Sequence, residues 1–252
     1  MVKSNNSSWV LIIPARLDSK RLPSKPLIKI LGKTIIERTY SQALKAVKDK
    51  NKIIIATDSL EIKKHCDDIN AKVCLTSKNC LTGTDRVAEV AKHIEVDQYI
   101  NLQGDEPIFP VSELNEFINS VNVNNKFVYT AVKRITSKEE FFNSSIPKMV
   151  FTKSKNLLYS SRAPIPSNKQ SSFSFGYKHI CIYAFNRLHL EAFSQCIKKT
   201  TFEDEEDLEI NRFLELDIRV KCIELKNSGK AVDNESDLID VTKIISSNPS
   251  LY

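Results

Sequence analysis

Only five glycines occur among the 252 residues, and none lies in a G-x-G-x-x-G run behind an apolar strand. That excludes a nicotinamide-binding site of the dinucleotide type, which needs those glycines for a tight turn at the pyrophosphate. The six cysteines (66, 74, 80, 181, 196 and 222) include no C-x-x-C pair and no histidine at zinc-ligand spacing, which argues against a zinc site or a disulfide framework. Cys181 and Cys222 lie in apolar runs and read as small buried hydrophobes. Scattered thiols of this kind fit a reducing cytoplasm, the expected location. No apolar stretch is long enough to cross a bilayer, and residues 1–8 lack the apolar core of a signal peptide, so no membrane insertion is expected. There is no long basic block, no arginine–aromatic interleaving, no internal repeat and no low-complexity segment. The net charge of +6 is modest. It favours anionic ligands, and nucleic acid is not an expected partner.

What is present is an ordinary globular composition, 41% hydrophobic and 27% charged, at a length suited to one large α/β domain spanning 1–252. Strand-like runs at Trp9–Pro14, Lys52–Ala56, Ala71–Leu75 and Gln98–Leu102 alternate with helical spacing at Thr34–Val47, Leu60–Ile69 and Asp85–Ile94. This order predicts a doubly wound, mostly parallel sheet of Rossmann-like type. After Ser112 the pattern loosens. Strands are expected at Phe127–Val132, Met149–Thr152, Leu157–Tyr159 and His179–Phe185, and they suggest a small inserted antiparallel subdomain over about 127–185. Ser167–Ser174 reads as a mobile loop. A helix over Glu205–Leu216, a strand over Arg219–Leu225 and a closing helix over Ser236–Ile245 complete the pattern.

The first strand runs into a turn that carries Arg16, Lys20, Arg21 and Lys25, stiffened by Pro14, Pro23 and Pro26. A cationic loop at the end of a parallel strand suits a polyanion such as a nucleoside triphosphate; the plain alternative is a solvated surface loop. Asp105 lies beside Gly104 just past a central strand, and Asp233 follows a late strand. Two aspartates brought by separate loops to one sheet edge can share a divalent cation, and hard oxygen donors without an imidazole cluster point to Mg²⁺. Each could instead be a helix cap or turn residue. Nucleotidyl transfer needs charge neutralisation and in-line positioning more than a protein nucleophile, and no convincing Cys, Ser or His nucleophile is found. Arg16 and Lys25 would hold phosphate oxygens, the arginine two at a time.

Several motifs occur together: I-I-P-A-R (12–16), R-L-P-S-K-P-L (21–27), A-T-D (56–58), T-G-T-D-R-V-A-E-V (82–90), N-L-Q-G-D-E-P (101–107), Y-S-S-R-A-P-I-P (159–166), K-H-I-C-I-Y (178–183) and A-V-D-N-E-S-D-L (231–238). In this order the chain resembles the 3-deoxy-manno-octulosonate cytidylyltransferases, within the nucleotide-diphospho-sugar transferase fold. The resemblance implies that CTP and a 3-deoxy-2-ulosonic acid give a CMP-sugar and pyrophosphate, for lipopolysaccharide or surface polysaccharide synthesis. It implies nucleotide contacts from Pro14, Ala15, Arg16, Lys25, Thr82, Gly83, Thr84 and Gln103. It implies sugar contacts from Gln103, Arg162, His179, Tyr183 and Glu209, with Asp105 and Asp233 on Mg²⁺. Arg16, Lys25 and Asp105 are the catalytic residues on this view. The family is usually a homodimer, its contact near the inserted sheet and the 205–216 region.

The chain departs from the family pattern at several points. Ser24 stands where glycine is usual, which suits the loop only if its backbone needs no positive φ. Asn234 replaces a threonine and Ala231 often a glycine. Leu208-Glu-Ile-Asn-Arg212 stands for L-E-Q-L-R, placing Ile210 where a glutamine would face the sugar, so a modified octulosonate is an open option. Acylneuraminate cytidylyltransferases share the fold and the reaction. Guanylyl- and thymidylyltransferases carry a G-x-G-T-R-L loop that is absent here. A non-catalytic nucleotide-binding protein is the alternative of another class, and it would have no use for a pair of metal-binding aspartates.

Overall fold

A run reading W-V-L-I-I-P-A offers water no polar face and needs cover on both sides. In the computed structural model, which describes residues 8–19, 21–122 and 126–252, this run is strand β1 (Trp9–Ala15), buried from Val10 onward. A short hairpin, β2 (Lys29–Ile30) and β3 (Lys33–Thr34), leads into α1 (Ile35–Val47), whose first turn is capped by the Thr34 hydroxyl accepting from the Glu37 N–H. There follow β4 (Ile53–Thr57), α2 (Leu60–Asp68), β5 (Lys72–Leu75), α3 (Gly83–Ala91), β6 (Gln98–Leu102), α4 (Val111–Ser120), β7 (Val128–Arg134) and α5 (Lys138–Phe142). The chain continues through β8 (Lys148–Phe151), β9 (Leu157–Ser161), β10 (Tyr177–Phe185), α6 (Arg187–Ser194), α7 (Thr201–Glu206), α8 (Ile210–Glu215), β11 (Val220–Glu224) and α9 (Glu235–Ser247).

The nine-stranded sheet has the order β11-β7-β10-β6-β1-β4-β5, with β8 joined to β10 and β9 to β8. β5, β4, β1 and β6 are parallel, and β11 is parallel to β7; β10 runs antiparallel to both β6 and β7. One face carries Leu11, Ile13, Ile55 and Ile100 against α1, α2 and α4. The other carries Val10, Ile12, Ile54 and Tyr99 against α3, α6 and α8. This is the doubly wound, mostly parallel α/β architecture expected. A third cluster seats α9 through Val241 and Ile245 on Ile30 and Ile35.

Three local readings need correction. The region after Ser112, where periodicity loosened, contains α4, with Leu114 and Phe117 fully buried. Its N-cap is Pro110, which offers no side-chain acceptor, so the usual start signal is missing. The single helix expected over Glu205–Leu216 is two. Asp207 takes a left-handed conformation (φ 49°) that closes α7, and the Leu208 N–H turns back to the Glu203 carbonyl before α8 begins. In the 127–185 region, β7 and β10 are strands of the main sheet, and the β8–β9 pair extends from β10. Residues 167–174 carry no regular element.

Candidate active site

Parallel strands bring their C-terminal ends to one edge, where Arg16 follows β1, Asp58 follows β4 and Gln103–Asp105 follow β6. The loops there enclose a cleft of about 730 Å³. Its floor is a close approach of β1 and β6: a Cβ on Gly104 would stand 2.5 Å from the Pro14 carbonyl oxygen, so only glycine fits. Gly83 is also confined, by Gln103 and the Pro14 ring.

The loop after β1 delivers Lys25 at the start of a one-turn 3₁₀ helix, preceded by Ser24 at φ 53°, ψ 30°. The backbone therefore does take the positive φ that favours glycine, contrary to the condition on which serine suited this position. Lys25 Nζ donates to Asp105 Oδ2 (2.5 Å) and Asp233 Oδ1 (3.1 Å), and Arg21 lies 3.2 Å from the same Asp233 oxygen. The Val232 N–H donates to the Asp105 carbonyl, which ties the two aspartate loops together. Burial alone would depress the Lys25 ammonium, but the two carboxylates outweigh it and hold its pKa above the ordinary value. Asp233 does not cap α9; Asn234 does, its side chain accepting from the Asp237 N–H. Glu106, next in the chain, is buried; desolvation, then Asp105 and Asp233, push its carboxyl up to about 8. It is thus largely uncharged near neutrality.

The opposite wall begins at α3. Thr82 caps this helix in a capping box with Asp85. Glu209 Oε2 accepts from the Thr84 N–H (3.1 Å) and its Oε1 from Gln103 Nε2 (2.9 Å), joining α3, β6 and the turn before α8. Burial raises the Glu209 pKa, opposed by hydrogen bonding from Thr84 and Thr82. Arg86 pairs with Asp58 at 2.6 Å and also donates to Thr76 and Ser77. Arg162, Lys199, Glu203 and Asp207 complete the wall.

A cytidylyltransferase family pattern matches residues 10–220. The 3-deoxy-manno-octulosonate cytidylyltransferase of Protochlamydia amoebophila is 39% identical, covering 90% of each chain. That of Chloroherpeton thalassium is 37% identical, covering 94% of this chain and 97% of its own. The chain belongs to the 3-deoxy-manno-octulosonate cytidylyltransferase family. A solved CMP:2-keto-3-deoxy-manno-octonic acid synthetase complexed with CTP superposes with a TM-score of 0.86 at 32% identity, over 96% of this chain and 99% of that one. An inositol-1-phosphate CTP transferase from T. maritima, 12% identical with a TM-score of 0.68, shares the fold.

Of the residues that membership of the 3-deoxy-manno-octulosonate cytidylyltransferases points to, Pro14, Ala15, Arg16, Lys25, Thr82, Gly83, Gln103, Asp105, Arg162, Glu209 and Asp233 line the cleft. Thr84 is buried behind it, its N–H on Glu209. Lys20 lies outside the described residues. Arg162 donates through its guanidinium to the Glu206, Ser144 and Asp207 carbonyls. His179 and Tyr183 do not line the cleft. Both are buried; His179 Nε2 is 2.9 Å from Thr130 Oγ1, and Tyr183 stacks with Phe185. Burial pushes the His179 pKa down to about 3, so the ring is neutral at physiological pH. Ile210 is fully buried with Leu208, Phe213 and Val220 rather than facing the cleft. The first turn of α8 turns its apolar side to the sheet, so it is Glu209 that reaches the site. Asp58, Arg86, Lys199, Glu203 and Asp207 received no role from the sequence. Asp58 and Arg86 sit inside recognised motifs, whereas no spacing signal marks the other three.

Proposed function

We propose that this chain transfers the CMP group of CTP to a 3-deoxy-octulosonate, releasing pyrophosphate. The observation that carries the reading is the convergence of Asp105 and Asp233 on a single positive centre, the Lys25 ammonium, in a cleft at the C-terminal strand edge. The relative solved with CTP supports the nucleotide. The donors also fit Mg²⁺. Asp105 Oδ2 and Asp233 Oδ1 are two hard oxygens aimed at one point, the position the Lys25 ammonium takes. Mg²⁺ suits such a half-site because it keeps water and phosphate oxygens as further ligands. Bound there, the ion would withdraw charge from the α-phosphate.

The protein's own residues supply the rest. Arg16 and Lys25 neutralise the triphosphate, the Thr82–Thr84 turn and Gln103 border the nucleoside, and Glu209 fixes both borders by its two hydrogen bonds. The positive charge of Arg162 on the far wall complements a sugar carboxylate. The sugar's anomeric oxygen forms the new bond to the α-phosphorus, and the bond to the pyrophosphate oxygen breaks opposite it. Family membership supports a homodimer, a cytoplasmic location and a place in lipopolysaccharide synthesis.

The test is pyrophosphate release with CTP and Mg²⁺ across a panel of 3-deoxy-octulosonates, 8-amino analogues and acylneuraminates. Release with an octulosonate and none with the nine-carbon acids is expected. CTP binding without release for any acid would overturn the reading in favour of a nucleotide-binding protein.

A further inference from the structure

Arg212 is among the largest fully buried side chains, and it does not line the cleft. Its guanidinium grips Glu203 bidentately, Nε to Oε2 at 2.6 Å and Nη2 to Oε1 at 2.5 Å, while Nη1 donates to Asp85 Oδ1 (3.1 Å) and the Phe193 carbonyl (3.2 Å). The group lies on the Phe193 ring, 3.8 Å from its centroid. Each carboxylate has a second task. Asp85 Oδ2 accepts from both the N–H and the hydroxyl of Thr82, each at 2.8 Å, and so sets the turn that lines the cleft. Glu203 Oε2 accepts from the Thr200 N–H and closes the capping box of α7, farther along the same wall.

A buried ion group of this kind is poor value as stability. Apolar side chains of the same volume do as well or better, because each charge loses its hydration on burial. What such a group supplies is fixed geometry, and here the geometry belongs to the cleft wall that runs from the Thr82 turn to α7. Without the arginine, two carboxylates would face one another in a dry interior. One of them would have to take up a proton or shift, and a shift of Asp85 would carry the Thr82 backbone with it.

We propose that Arg212 is a positioning residue for nucleotide binding. Through Asp85 it holds the Thr82–Thr84 turn, and through Glu203 it ties that turn to α7, without touching the ligand. The inference rests on the reading above that this turn borders the nucleotide. Lysine cannot replace the fork, since it offers a point charge where two planar contacts are needed.

The experiment measures CTP affinity by calorimetry, the KM for CTP and for the sugar acid, kcat and melting temperature, in Asp85→Asn, Arg212→Lys and Phe213→Leu. Asp85→Asn keeps the side-chain size and removes the charge facing Arg212. It is expected to weaken CTP binding and raise its KM about tenfold, with kcat changed far less. Arg212→Lys should show the same split. Phe213→Leu trims the same core without entering the ion group, and should lower the melting temperature while leaving the CTP KM unchanged. If Asp85→Asn and Arg212→Lys melt earlier but keep CTP KM within about twofold of wild type, the group is only structural and the proposal fails. If wild-type protein itself binds no CTP, the functional reading fails first, an outcome distinct from a normal KM in the variants.

Discussion

At the scale of single residues, the most informative position is Ser24. Left-handed backbone costs an L-residue about 1–2 kcal/mol relative to the right-handed form, whereas glycine pays only in unfolded-chain freedom, about 0.5–1 kcal/mol. Ser24 adopts φ 53° and presents its backbone as the cap of the turn that aims Lys25. Ser24→Gly is therefore expected to stabilise the protein by about 0.5–1 kcal/mol, read as a higher denaturant midpoint with an unchanged m-value. A lower midpoint would show that the serine hydroxyl contributes something its hydrogen bonds do not reveal. The meeting of Asp105 and Asp233 was legible in the chain because each follows a strand, so topology sends both to one edge; that Lys25, read as a phosphate ligand, would stand between them was not. The burial of His179, Tyr183 and Ile210 was not. Whether a strand or helix residue points to the cleft or the core depends on register and on what covers that face, and a strand-like run such as K-H-I-C-I-Y carries no mark of either.

Among the elements, continuous apolar runs such as Ile53-Ile-Ile55 and capped amphipathic stretches such as 34–47 could be read directly, since their pattern and their start signals agree. α4 was missed where those signals disagreed: its apolar positions Val111, Leu114 and Phe117 fit a helix, but Pro110 supplies no capping side chain. The break between α7 and α8 escaped because its hinge, Asp207, is not a glycine, and helical spacing of Leu208, Phe213 and Leu216 runs straight across it. The Arg212 group could not be read at all, because its partner Asp85 lies 127 residues away. The contact between β1 and β6 is the element-scale feature most exposed to a test. Gly104→Ala would drive a methyl to 2.5 Å from the Pro14 carbonyl oxygen. Since a backbone atom cannot step aside, the strand ends must part, at a cost of about 1–3 kcal/mol in stability. Turnover should fall as well, because Asp105 moves with the loop. A variant with wild-type melting and activity would mean that the two loops are not held as closely as described.

The whole molecule is a doubly wound sheet whose reactive edge is polar and whose interior buries two histidines, His179 and His189. Burial lowers the pKa of His179 to about 3 and also lowers that of His189. A base whose folded pKa lies below its unfolded value binds fewer protons when folded. Its contribution to stability is complete above the unfolded pKa of 6.5 and is lost as pH falls from there toward 3. Unfolding free energy is therefore expected to decline between those limits, and His179→Gln should flatten the decline. An equal slope in that variant would place the acid sensitivity elsewhere.

The central claim is that Asp105 and Asp233, gathered around one cationic centre, make this cleft a site of nucleotidyl transfer. Its most direct test is the rate of pyrophosphate release from CTP, in the presence of a 3-deoxy-octulosonate and Mg²⁺, for Asp105→Asn beside the wild type. Loss of a preorganised charge at a transfer centre typically costs about 100–1,000-fold in rate. The account predicts a loss at least that large with the melting temperature essentially kept. Turnover within a few-fold of wild type would contradict it.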